Sequence, residues 1–185
     1  PWIMASNNAS VSEILLSDRG VNQDFIKQVQ QIVEPSGVTS KIPPGETAWM
    51  QDTTEIGYVQ FPRENTLKNY PVALNGNRLS ESDDYAKSLM NRNFGWFEVG
   101  KPRSLDPLNQ GLDWYSNLEV TPPLPKYPMG RIYYGKADGD TLHPDVVEFL
   151  KAQKVQGPPV EIDTSWLMIR HVSEIINFIP SQTGE

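Results

Sequence analysis

Polar side chains recur at similar places after three tryptophans, and their types define the chemistry open to this chain. Trp49 leads to Asp52 and then Glu55-Ile56, Trp166 leads to His171 and then Glu174-Ile175, and Trp114 leads to Asn117, Glu119 and Val120. Asp52 lies between Gln51 and two threonines, so a carboxylate, an amide and an indole face stand close in sequence. Such a group suits a planar cation, because a carboxylate can accept two parallel N–H bonds from a guanidinium while an indole stacks on it. The plainer reading is a turn aspartate beside a core tryptophan. His171 occupies the position matched by Asp52. An imidazole there either changes charge near neutral pH as part of a site or is a satisfied histidine at a strand start. Glu55 and Glu119 also match. With the Gln51 amide and nearby backbone carbonyls they make a hard-oxygen set suited to Ca2+, although no EF-hand loop is present and strand-face carboxylates are commonly just solvated.

Other polar positions read as structural. There are only two histidines, too few for a His-cluster metal site. His143 stands directly before Pro144 at an expected helix start and reads as a surface or capping residue. Asp138-Gly139-Asp140 lacks the spacing of a calcium loop and reads as a turn, and the acidic run from Glu81 to Asp84 as a solvated loop. No phosphate loop, dinucleotide fingerprint, HExxH or GxSxG motif occurs.

Positioning these groups requires a folded domain, and the composition provides for one. The chain has 185 residues, 38% hydrophobic and 21% charged, which fits one globular domain over 1–185. A net charge of -7 disfavours nucleic acid, which needs a basic face, and favours cationic partners such as metal ions or Arg-rich peptides. There is no cysteine, hence no disulfide, thiolate site or thiol nucleophile in this stretch. Apolar runs are far shorter than a membrane span. The opening Pro1 reads as processing or a fragment.

Two helices are expected. From Asn22 to Glu34, Phe25, Ile26, Val29, Ile32 and Val33 form a stripe of helical period before Pro35 and Gly37. Pro144 to Lys154 repeats the pattern with Val146, Val147, Phe149 and Leu150, ending before Gly157-Pro158-Pro159. Short strands are expected at Ile56 to Phe61, Leu118 to Val120, Arg131 to Tyr134 and Ile175 to Ile179. The tryptophan motif follows each helix, with a weaker third copy between them. Such repetition implies blades around an axis, with Asp52, Asn117 and His171 pointing into one shared site.

The stretch Trp49-Met-Gln-Asp-Thr-Thr-Glu-Ile-Gly-Tyr-Val-Gln-Phe-Pro62 resembles a segment of the protein-arginine deiminases. Asn93-Phe-Gly-Trp96, Gly111 to Pro123, Tyr127-Pro-Met-Gly-Arg131 and Trp166 to Pro180 agree in order, so the resemblance covers most of residues 21 to 180. It implies an α+β chain forming part of the α/β propeller, or pentein, of guanidine-modifying enzymes, roughly three of five blades. By the resemblance, Asp52 grips the substrate guanidinium, Trp49 walls its tunnel, His171 is the acid/base and Arg78 holds the substrate backbone. Gln51, Glu55 and Glu119, with the carbonyls of Tyr115 and Leu118, match a Ca2+ site.

The implied parent reaction is calcium-dependent hydrolysis of peptidyl-L-arginine to peptidyl-L-citrulline and ammonia, with an arginine-containing protein or peptide as substrate. Neither nucleic acid nor membrane is an expected partner. A missing C-terminal part of the same domain or a second copy is, and the expected setting is cytoplasmic with secretion as the alternative. Departures from the family pattern include Ser173 in place of the second guanidinium-binding aspartate, Ala48 for an arginine, and Arg170 for a small residue. Thr53 and Leu74 or Asn75 replace acidic positions of a second calcium site. The family's cysteine nucleophile has no counterpart here. An inactive module binding calcium or Arg-peptides is thus the main alternative, and a free-agmatine or free-arginine deiminase a third.

Overall fold

The computed structural model describes residues 1–43, 49–77, 84–103, 111–179 and 181. In chain order the elements are β1 (Trp2–Met4), β2 (Glu13–Leu15), α1 (Gln23–Val33), β3 (Thr39–Lys41), α2 (Met50–Thr53), β4 (Thr54–Arg63) and β5 (Thr66–Asn75). There follow α3 (Tyr85–Ser88), β6 (Gly95–Glu98), β7 (Leu118–Val120), β8 (Ile132–Ala137), β9 (Asp140–Thr141), α4 (Pro144–Gln153) and β10 (Val160–Asp163). The chain is therefore a mixed α+β fold of short elements.

Three sheets result. One has the order β1-β4-β5-β6, another β10-β8-β7 with β9 on β8, and a third pairs β2 with β3. The parallel pairs are β2 with β3, β5 with β6, and β8 with β10, and each is joined through a helix. Each is thus a β-helix-β crossover, the usual connection that brings a strand back parallel to its predecessor. β4 and β5 are joined antiparallel through Glu64 and Asn65, both at positive φ (49° and 64°), the combination that suits the right-handed twist of a tight hairpin. Asp138-Gly139 does the same between β8 and β9, so the turn reading of this acidic triplet holds.

The main core gathers Trp2, Met4, Val72, Leu74, Tyr115, Leu118, Val120, Ile132, Tyr134, Leu142, Val146, Val147 and Leu150. α4 thus buries its apolar face on the β7–β8 sheet, with β1 and β5 closing the other side. Gln156 locks β1 to this layer. Its Oε1 accepts from Met4 N (2.8 Å) and its Nε2 donates to the carbonyls of Met4 (2.9 Å) and Met129 (2.6 Å), so every polar atom of a buried amide is paired. His143 is buried and caps α4: Nδ1 accepts from Asp145 N (3.1 Å) while Nε2 donates to the Lys101 carbonyl (2.8 Å).

The structure departs from the sequence pattern in three places. α1 forms where expected, yet of its apolar stripe only Ile26 is buried, and Phe25 and Ile32 face solvent. Ile175 to Ile179 is not a strand: a 3-10 turn at Val172–Glu174 runs into irregular chain that pairs with no described strand. α2 and α3 are single turns, too short to leave a helical period in sequence. Of the acidic run from Glu81 to Asp84, only Asp84 lies among the described residues, and it pairs with Lys87 at the surface.

Candidate functional site

Three short turns build the site, one from each copy of the tryptophan motif. α2 follows Trp49 and is closed by Thr53 N bonding the Trp49 carbonyl (3.2 Å) and Thr53 Oγ1 the Met50 carbonyl (3.0 Å). This turn carries Asp52 inward, where it is buried. A 3-10 turn at Tyr115–Asn117 leads into β7, and another at Val172–Glu174 follows His171. Glu174 Oε1 accepts from His171 N (2.9 Å). Ser173 and Glu174 thus sit on a turn and not on a strand, so strict alternation of faces does not govern them.

Asp52 and His171 meet on a residue that sequence reasoning did not single out. Ser116 Oγ donates to Asp52 Oδ1 and lies 2.6 Å from His171 Nδ1. His171 Nε2 is 2.8 Å from the Gly111 carbonyl, which can only accept, so this nitrogen carries a proton. Trp114 tilts against the imidazole with centroids 5.9 Å apart, and Trp49 against Trp114 at 6.2 Å. The two indoles form one wall. Trp49 is 63% exposed, which leaves an aromatic face open beside a buried carboxylate.

Asn117 does not point into the site, contrary to expectation. Its fully buried amide donates to the carbonyls of Leu112 (3.0 Å) and Gly135 (3.1 Å) and accepts from Gly135 N (2.9 Å) and Val172 N (3.3 Å). It ties the second turn to β8 and to the residue after His171. Gly135 makes that approach possible: a side-chain carbon there would overlap Asn117 Oδ1 and lie 2.6 Å from Thr164 Oγ1 and 2.7 Å from the Arg170 carbonyl. Thr164 Oγ1 in turn donates to that carbonyl (2.7 Å), and Arg170 adopts φ 72°, a left-handed conformation that explains why a small residue suits this place.

A separate acidic group lies beside Gln51 of α2. Gln51 Nε2 is 3.4 Å from Glu119 Oε1, and Glu55 is close enough to Glu119 for the two charges to repel. Burial pushes the Glu119 carboxyl up to about 7. Loss of hydration, and then the Glu119 charge, hold Glu55 well above the ordinary carboxylate range. Gln51, Glu55 and Glu119 line a recess of about 940 Å3, while Asp52, Ser116 and His171 do not. The Tyr115 and Leu118 side chains are wholly buried in the core, so only their backbone carbonyls could serve a ligand. No cluster of three or more His, Cys, Asp or Glu suited to a metal occurs among the described residues. The donor set is two carboxylates, an amide and carbonyls, all oxygen and short of positive charge, which fits a hard cation.

The remaining predicted positions are less engaged. Ser173 is half-buried on the His171 turn. Arg78 and Ala48 lie outside the described residues. Leu74 is a core residue, and Asn75, also fully buried, is the polar member of that pair, its Nδ2 donating to Glu98 Oε2 (3.0 Å). Ser116 and Trp114 lie within the Gly111 to Pro123 stretch, and the one sequence signal at Ser116 is the offset between Asn117-Glu119 and the other two copies of the motif.

Known proteins are similar to this sequence along nearly its whole length. The family model described as protein-arginine deiminase matches residues 1–185. The chain is 34% identical to the human protein-arginine deiminase type-3, over 100% of this chain and 29% of that protein. It is 33% identical to the mouse protein-arginine deiminase type-4, over 98% of the chain and 28% of the relative, and 31% identical to human type-1, over 98% and 29%. It spans less than a third of the length of these relatives. Matched along its whole length by the family model, the chain belongs to the protein-arginine deiminase family.

Proposed function

We propose that this chain carries the guanidinium-binding and proton-transfer part of a calcium-dependent protein-arginine deiminase, whose reaction hydrolyses peptidyl-L-arginine to peptidyl-L-citrulline and ammonia. The observation that carries this reading is the meeting of Asp52 and His171, from turns far apart in the chain, on either side of one hydroxyl. Asp52 accepts the paired N–H donors of the guanidinium, with Trp49 alongside as an aromatic wall. His171 moves the proton needed for ammonia to leave and for water to attack. The thiol that forms the covalent intermediate is not among these 185 residues, which contain no cysteine. Arg78 is assigned to the substrate backbone on resemblance alone.

Gln51, Glu55 and Glu119, with the Tyr115 and Leu118 carbonyls, are the residues we assign to Ca2+. Bound there, the ion would neutralise the repelling carboxylates and steady the turn that presents Asp52. The three β-helix-β crossovers support a reading as roughly three of five propeller blades within a single domain. A second reading, an inactive module that binds calcium or Arg-peptides, draws support from Ser173, which stands where the family pattern has the second guanidinium-binding aspartate.

Calorimetry tests the proposal. Ca2+ should bind the chain, an N-acetyl-arginine amide should bind the calcium-loaded form, and Asp52→Asn should abolish only the second event. If the amide binds Asp52→Asn as it binds the parent, Asp52 is not the guanidinium ligand. Adding a thiol-bearing longer form of the protein separates the two readings, since only the enzyme releases citrulline.

A further inference from the structure

Ser116 is held between two groups that a single hydroxyl cannot serve in every way at once. It is buried with Asp52 and His171, and its Oγ contacts both Asp52 Oδ1 and His171 Nδ1. A hydroxyl has one proton to donate and lone pairs to accept. The Gly111 carbonyl fixes the far side of the imidazole through Nε2, leaving Nδ1 as the nitrogen through which the ring senses Ser116. On the other side, the Ser116 donation occupies one of the carboxylate oxygens that a guanidinium would need. The order carboxylate, hydroxyl, imidazole differs from a hydrolytic triad, where the imidazole is central and the hydroxyl is free to attack. Ser116 is enclosed on both sides and is no nucleophile.

We propose that Ser116 is a positioning residue that couples Asp52 to His171: it holds ring and carboxylate in register, and it yields the carboxylate when a guanidinium arrives. This rests on the assignment of Asp52 to the guanidinium. Once the cation's N–H groups take the Asp52 oxygens, the freed hydroxyl turns wholly to His171 Nδ1. Binding of substrate is thereby reported to the proton-transfer residue before any chemistry. Removing the hydroxyl relieves a competitor for Asp52, so guanidinium binding should tighten, by at most about one to two decades, the worth of one hydrogen bond to a charged group.

The test uses the imidazole nitrogens, which long-range proton–nitrogen NMR resolves because the chain has only two histidines. His143, bonded to Asp145 N and the Lys101 carbonyl, serves as the reference for an intact fold. Without ligand, Ser116→Ala should shift the His171 Nδ1 signal while the His143 signals stay, and Ser116→Thr should restore it. With methylguanidinium, whose binding is followed separately by saturation transfer to its methyl protons, the His171 Nδ1 signal should move in the parent and in Ser116→Thr. In Ser116→Ala the ligand should still bind while that signal stays still. A His171 signal that ignores Ser116→Ala without ligand, or that responds to methylguanidinium equally in parent and Ser116→Ala, overturns the coupling. Absence of any methylguanidinium binding to the parent would instead overturn the guanidinium role of Asp52, and the ligand-free comparison would then decide the Ser116 contact by itself. Loss of the His143 signals in Ser116→Ala would mark an unfolded variant, and Asp52→Asn then decides: it removes the charge that holds the hydroxyl, so an unmoved His171 signal in that variant also overturns the proposal.

Discussion

Glu119 is a carboxyl kept in a place that resists its charge. A carboxyl whose pKa in the fold lies above its unfolded value binds protons preferentially in the native state, so stability is greatest below the ordinary carboxylate range and falls as pH rises to about 7. Above that pH the ionised group costs on the order of 3 kcal/mol in the absence of a cation. Glu119→Gln should therefore raise the unfolding midpoint at pH 8 and change it little at pH 4.5, measured by urea denaturation in chelator. A cation needs the ionised form, so added Ca2+ should raise the melting temperature of the parent more at pH 8 than at pH 5.5 and do little for Glu119→Gln. At Ser173 the opposite change is informative. A hydroxyl cannot pair with a cation's charge, so Ser173→Asp should tighten binding of an arginine amide by about one to two decades, the equivalent of ~1.5–3 kcal/mol. Unchanged affinity in calorimetry would show that Ser173 does not face the guanidinium. Asp52, His171, Glu55 and Glu119 were legible in the sequence because a repeated tryptophan motif aligned them. Ser116 was less legible: counted from Trp114 the match to Asp52 is Asn117, counted back from Glu119 it is Ser116, and only the path of the turn decides which of these two neighbouring polar side chains faces inward.

Turns present Asp52, Ser116 and His171 to one another, and the buried amide of Asn117 is what holds two of those turns to a sheet. It joins the loop at Leu112, β8 at Gly135 and the chain at Val172. Asn117→Ala would leave several buried backbone groups without partners, at about 2–4 kcal/mol. The expected result is a clear fall in the denaturation midpoint with the His171 NMR signals broadened, whereas a stability within about 0.5 kcal/mol of the parent, the scatter of surface substitutions, would refute the role. Elements with a strong period were legible before their structure: α1, α4, β7 and the centre of β4 stand where expected. Ile175 to Ile179 shows the limit. Its β-branched residues favour an extended chain, but a strand forms only where it pairs with an edge, and this segment pairs with no described strand.

For the molecule as a whole, the apolar surface is the unusual property. Trp166, Met168, Ile169, Ile175 and Ile179 are exposed around the end of the described chain, with Met168 at 94% and Ile179 at 79%. Exposed apolar side chains of this kind favour association. Sedimentation velocity should show the 185-residue chain forming dimers or larger species as its concentration rises, and Met168→Ser with Ile179→Ser should reduce them. A parent that stays monomeric throughout would count against this surface as an interface. Residue types and their repetition determined by themselves that the chain is acidic and thiol-free and mixes helices with short strands, with oxygen-bearing side chains and a carboxylate-imidazole pair at matched positions. They could do so because charge, hydrogen-bonding capacity and local period are properties of the residues. Only the tertiary structure decided that Ser116 bridges Asp52 and His171, that Asn117 serves the scaffold, and that the stripe of α1 is largely uncovered. Those outcomes depend on which distant segments pack against each turn, and packing is settled by the whole chain at once.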